Sequence, residues 1–187
     1  MLIYANIILK KYPSDSGDLN NYGHAFAGSL ASFAPAQQLI YLPDVAHLEW
    51  AYQQALHAEQ QPLFNMAKLA NIDLEQQPHI IFKLNPALSL LASNFPLKKI
   101  WDLCQQAGPT ADQIDLAEAS RLLIIYRRDC VAVIEEINKA EYIFLTAIAA
   151  GRTFADACTQ ALKADAQFDV SACLQKHIAN NNIIDLA

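Results

Sequence analysis

The sequence predicts an α+β protein, predominantly helical, and three observations carry that expectation. Hydrophobic residues make up 53% of 187, enough to bury a sizeable core. Apolar residues recur at helical spacing over much of the chain. Near the carboxy-terminal third, two runs rich in branched and aromatic residues, Leu122-Leu123-Ile124-Ile125-Tyr126 and Val131-Ala132-Val133-Ile134, flank a turn at Arg128-Asp129 and read as a β-hairpin.

Taken in order, Tyr12 to Asp18 is a loop by composition, and Asp18 can cap a helix that begins near Leu19 and carries Tyr22, Phe26 and Leu30. A loop surrounds Pro35. From about Tyr41 to Gln60 comes the strongest helical pattern, with Val45, Leu48, Tyr52, Ala55 and Leu56 in one stripe, Pro43 in the first turn and Asp44 beside the positive helix end. Asn65 to Leu69 adds a further helical turn. The glutamine-rich stretch at Glu75-Gln76-Gln77 is a domain boundary, separating a helical amino-terminal domain (1–77) from a winged-helix-like domain (78–187).

Beyond the boundary, His79 to Leu84 is a strand expected to complete a three-stranded sheet with the hairpin. Ala87 to Ser93 and Pro96 to Gln106 read as helices, and Ala107 to Thr110 as a loop. Three helices follow the hairpin. Tyr142, Leu145 and Ala149 mark the first, which Gly151 ends in a left-handed conformation; Thr153 caps the second, whose stripe is Phe154, Ala157, Cys158, Ala161 and Leu162. Asp169 or Ser171 caps the third, with Val170, Leu174 and Ile178, before Asn180 to Asn182 and a last apolar pair, Ile183-Ile184. A hairpin followed by three helices is the order of a compact winged-helix module, a class that holds nucleic acid or an extended peptide.

Charge separates those two ligands. The net charge is −6, the wrong sign for a protein that holds phosphates by Coulomb attraction, although the segment from Arg121 onward, with seven basic and eight acidic residues, is nearly neutral. Arg121, Arg127 and Arg128 cluster on the hairpin, where a wing would touch a phosphate backbone or an acidic peptide. The third helix offers Gln175, Lys176, His177 and the Asn180 to Asn182 run toward a groove, a thin footprint when useful duplex affinity takes roughly six phosphate contacts. Peptide capture demands less charge. An exposed strand edge accepts an extended segment through main-chain hydrogen bonds, so Val131, Val133 and Glu135 on the second hairpin strand join the candidate contacts.

Catalytic signals are missing from the pattern. Four cysteines, Cys104, Cys130, Cys158 and Cys173, lie far apart with no Cys-x-x-Cys pair, and Cys104, Cys158 and Cys173 sit in apolar helical patterns expected to bury inert thiols. There is no glycine-rich phosphate loop, so no cofactor is expected and the chain reads as non-enzymatic. Asp44, His47, Glu49 and His57 are the one dense set of metal-ligating types, but Asp44 and His47 share a helix face that Glu49 does not. Glu49, between Leu48 and Trp50, reads instead as a partly buried interdomain anchor. No signal peptide or membrane span is expected, because Tyr4 and Asn6 break the stretch Leu2 to Leu9 and no apolar run approaches roughly 20 residues; reduced cysteines place the chain in the cytoplasm.

The stretches Ser16-Gly17-Asp18-Leu19-Asn20-Asn21-Tyr22-Gly23, Tyr41-Leu42-Pro43-Asp44-Val45-Ala46-His47-Leu48-Glu49-Trp50-Ala51, Phe95-Pro96-Leu97 and Ile100-Trp101 make the chain resemble the HvfC/BufC family, long labelled a DNA-binding domain. The second stretch is the specific one. Members usually carry another helical segment before the loop at Tyr12, so the resemblance implies that the amino-terminal domain here is incomplete. It also implies a partner protein in ribosomal-peptide maturation. Such a protein holds the leader of a small cysteine-containing precursor while a multinuclear non-haem iron oxidase modifies the core peptide, with Asp44, His47, Glu49 and Trp50 as interdomain or partner-interface candidates. The older label implies a winged-helix transcriptional regulator, and DNA is disfavoured by the net charge.

Overall fold

The computed structural model describes residues 26–105, 114–116 and 121–186. Seven α-helices, α1 (Phe26–Ala31), α2 (Leu42–His57), α3 (Met66–Ala70), α4 (Leu97–Gln105), α5 (Lys139–Ala149), α6 (Phe154–Ala164) and α7 (Val170–Ala179), surround five short strands. The strands are β1 (Phe82–Leu84), β2 (Ser89–Ser93), β3 (Arg121–Arg128), β4 (Val131–Glu136) and β5 (Ile183–Leu186). The class is α+β with helix dominant, as expected. The loop from Tyr12 to Asp18, the Asp18 cap with Tyr22, the family-like stretch from Ser16 to Gly23 and the loop from Ala107 to Thr110 lie outside the described residues.

A three-stranded antiparallel sheet in the order β2-β3-β4 forms the centre, and both of its faces are covered. Leu123, Ile125, Ala132 and Ile134 point to a core made with Leu48 and Ala55 of α2 and Leu97 and Ile100 of α4. Ile124 and Tyr126 point the other way, to Phe144, Leu145 and Ile148 of α5, Ala157 and Ala161 of α6 and Cys173 of α7. Coverage on both sides explains why β3 is an unbroken apolar run instead of an alternating one. Leu123, Ile124 and Ile125 are each fully buried, contributing about 1.5–3 kcal/mol apiece. The residues of the expected boundary near residue 77 lie in a short 3-10 turn, Gln77–His79. Apolar side chains from both sides of it share each core: Leu48 and Ala55 with the sheet, and Phe64 with Phe82 and Phe144.

Two corrections concern strands. The residues from Ala87 to Ser93, expected as helix, contain β2, paired to β3 from Ser89 opposite Ile125 to Ser93 opposite Arg121. Leucine, alanine and serine carry no strong strand preference, so pairing with β3 decides the conformation over local propensity. The strand expected over His79 to Leu84 shortens to β1 and does not join the hairpin. It pairs instead with β5, Phe82 opposite Leu186 and Leu84 opposite Ile183, in a separate two-stranded ladder, which gives the apolar pair Ile183-Ile184 its role.

Caps fix the helical region. In α5 the Asn138 carboxamide accepts from the Glu141 amide at 2.8 Å. Its end is closed by Gly151 at φ 69°, with Gly151 N–H donating to Ile148 and Arg152 N–H to Ala147, the paired bonds of a Schellman cap. Thr153 caps α6 through the Asp156 amide, and Asp169, not Ser171, caps α7 through the Ala172 amide. In the α6 stripe Leu162 departs from expectation: it is 41% exposed while Ala157 and Ala161 are fully buried. The hairpin turn is Asp129-Cys130, one residue beyond the expected Arg128-Asp129 because Arg128 still pairs with Val131; both turn residues have positive φ (49° and 64°), the backbone of a type I′ turn that matches the twist of β3 and β4.

Candidate functional site

The hairpin and α7 come together as the peptide reading requires. Ile137 N–H donates to the Leu122 carbonyl at 2.9 Å, so the alternation of an antiparallel ladder turns the main-chain groups of Glu135, Val133 and Val131 toward β3 and those of Ala132, Ile134 and Glu136 away from it. Among the described residues no strand or backbone hydrogen bond occupies that outer edge. Alongside, Lys176 of α7 donates to Glu135 of β4 at 2.5 Å. Val131 is 56% exposed at the open end of the strand, Val133 is half-buried against the α5–α7 core, and Gln175 is exposed on α7.

Lys176 also leads inward, to a buried polar network. Its ammonium donates to Glu141 Oε1 at 2.8 Å, and the same oxygen accepts from His177 Nε2 at 3.0 Å. Asn182 Nδ2 donates to His177 Nδ1 at 3.0 Å, so the partners assign the proton of the neutral ring to Nε2. His177 is completely buried and Glu141 is 8% exposed. Burial pushes the Glu141 carboxyl up, but hydrogen bonds from His177 and Lys176 and the lysine charge outweigh it and hold the group below its ordinary range. Burial likewise pulls Lys176 down, and its two carboxylate partners reverse the shift and raise it. Tyr126 is raised, first by burial and then by Glu135, to which its hydroxyl donates at 3.3 Å. The network pins α7 to both α5 and β4.

Glu141, Cys173 and His177 bring ligand atoms within 4.8 Å of one another, the one such convergence of metal-ligating types among the described residues. A divalent ion there would face the Lys176 ammonium already on Glu141. It would also have to displace the proton of Cys173, whose thiol burial pushes up to about 12. The arrangement is a closed polar latch. Sequence reasoning missed it; Cys173 and His177 stand four apart on one helix face, a legible pair, but nothing local marks Glu141 as their partner.

The basic candidates are largely engaged. Arg121 pairs with Glu136 at 3.4 Å, Arg127 donates to the Ala58 carbonyl, and Lys176 holds two carboxylates, leaving Arg128 as the exposed cation of the set. At the hairpin turn Arg127 and Arg128 line a cavity of about 110 Å³ with Asn180, Asn181 and Gln61. There Arg127 Nε and Asn181 Oδ1, both buried, meet no protein partner.

The amino-terminal candidates separate. Asp44 accepts from Ser93 Oγ at 2.6 Å, and Ser93 Oγ accepts from the Phe95 amide at 3.1 Å, so Asp44 ties the start of α2 to the end of β2. His47 is exposed. Glu49 is exposed too, against the expectation of partial burial, because the helix turns its Cβ away from the sheet that Leu48 faces. Trp50 is half-buried and shares a pocket with Glu49 and Trp101. Cys104 is exposed rather than buried, and so is Cys130; Cys158 is half-buried and raised by desolvation. No helix among the described residues is long and apolar enough to cross a membrane. A scan against family models finds no match for this chain, and a search of curated proteins finds none.

Proposed function

We propose that this chain is a non-catalytic recognition protein that takes up an extended peptide along the outer edge of β4, beside α7. The observation that carries this reading is the unpaired outer edge of β4 among the described residues, exposed at Glu136 and flanked by a helix the polar latch holds in place. By the family resemblance, the peptide is the leader of a small cysteine-containing precursor, the partner is a multinuclear non-haem iron oxidase, and the setting is cytoplasmic ribosomal-peptide maturation. Three of four candidate cations are held by the protein's own carbonyl and carboxylate oxygens, which counts against a duplex DNA ligand.

Titration with the leader of a cysteine-containing precursor encoded beside this gene tests the reading. Binding is expected in the micromolar range with shallow salt dependence. Glu136→Pro removes an outward N–H from an exposed edge position and is expected to weaken binding by about tenfold. No binding at high micromolar concentration, or a proline variant that binds unchanged, would overturn it.

A further inference from the structure

On the opposite side of the sheet, α2 and α4 enclose a pocket of about 330 Å³. Its aromatic lining is Trp50, Trp101 and Phe26, while Glu49, Gln53 and Gln105 bring a carboxylate and two amides. Helical spacing assembles it: Glu49, Trp50 and Gln53 lie within one turn of α2, and Trp101 and Gln105 stand four apart on α4. Tyr52 packs against the Trp101 indole, ring centroids 4.7 Å apart. The Glu49 carboxylate makes no hydrogen bond or ion pair among the described residues.

An unpaired carboxylate beside two indoles selects its ligand by charge. An apolar side chain would leave Glu49 desolvated and unpartnered, and an anion would be repelled. A cation gains from both the ring faces and the carboxylate. Among cations, a planar guanidinium stacks on indole and still directs N–H groups at Glu49 and the glutamine carbonyls; a quaternary ammonium has no N–H to give, and a lysine ammonium does not stack. We propose that this pocket receives the guanidinium of an arginine side chain presented by a partner protein. The net charge of −6 favours approach of such a partner. The inference is independent of peptide capture at β4, and its test uses no peptide ligand for that edge.

The chain has two tryptophans and both line the pocket, so tryptophan emission reports on it directly. Titration of the full chain at low ionic strength with N-acetyl-arginine amide is expected to give a saturable change in the millimolar range. The neutral citrulline analogue and choline should each bind on the order of tenfold more weakly. Glu49→Gln, at an exposed position that leaves the core intact, is expected to weaken arginine binding about fivefold or more. A response that does not saturate, equal binding of citrulline, or a Glu49→Gln variant indistinguishable from the parent overturns the proposal, and choline binding tighter than arginine overturns the choice of guanidinium.

Discussion

The two faces of the central sheet treat charge in opposite ways. Toward α5, α6 and α7, Glu141, His177, Lys176, Glu135 and Asn182 are tied into one continuous network. Toward α2 and α4 the polar contacts are separate pairs, Ser93 with Asp44 and Arg121 with Glu136, and among the described residues Glu49 stands unpaired at the rim of an aromatic pocket. A carboxylate taken out of water must find partners within the fold, whereas one left at the surface is free to find them elsewhere. Glu141 is therefore an element of structure, and Glu49 is the carboxylate proposed for recognition.

Replacing Glu141 by alanine is the most damaging way to probe that difference. It strips His177 and Lys176 of a shared acceptor in a buried setting and is expected to cost about 3 kcal/mol in chemical denaturation; a cost under about 1 kcal/mol would mean that the network is incidental. A smaller effect is expected in acid. The folded-state carboxyl of Glu141 lies below its ordinary value of 4.5, so its contribution is fully present above that pH and is lost as pH falls through the lower folded value. Glu141→Gln should accordingly flatten the stability profile below about pH 4.5 relative to the parent, and parallel profiles would contradict the assignment. The smallest effect belongs to the other face: Glu49→Gln should change stability by less than about 0.5 kcal/mol, and a larger loss would mean that Glu49 serves the fold.

How much of this was readable in the amino-acid sequence depended on how local each cause is. The stripe from Val45 to Leu56, the hairpin, the Gly151 terminus and the Thr153 and Asp169 caps follow from interactions within a turn or two of helix or strand, and all were legible. β2 was not, since Leu90, Leu91 and Ala92 suit a helix equally and only β3 selects the extended form. Of the peptide-site candidates, Glu135 and Lys176 were named separately and the fold joins them, while their connection to Glu141 needed a third element. Trp50 stands among the interface candidates and Trp101 in a family-like stretch, but nothing in the sequence marks them as neighbours across two helices. The exposure of Glu49 is not legible from its apolar neighbours Leu48 and Trp50, because helical rotation decides which side chain faces the sheet.

The β1–β5 ladder joins segments roughly a hundred residues apart in sequence. Such a closure has to overcome the entropy of the whole intervening chain before its few bonds form, so the pairing is expected late in folding. In hydrogen exchange the amides of Phe82 to Leu84 should open ahead of those in β3, making this clasp the place where the molecule first comes undone.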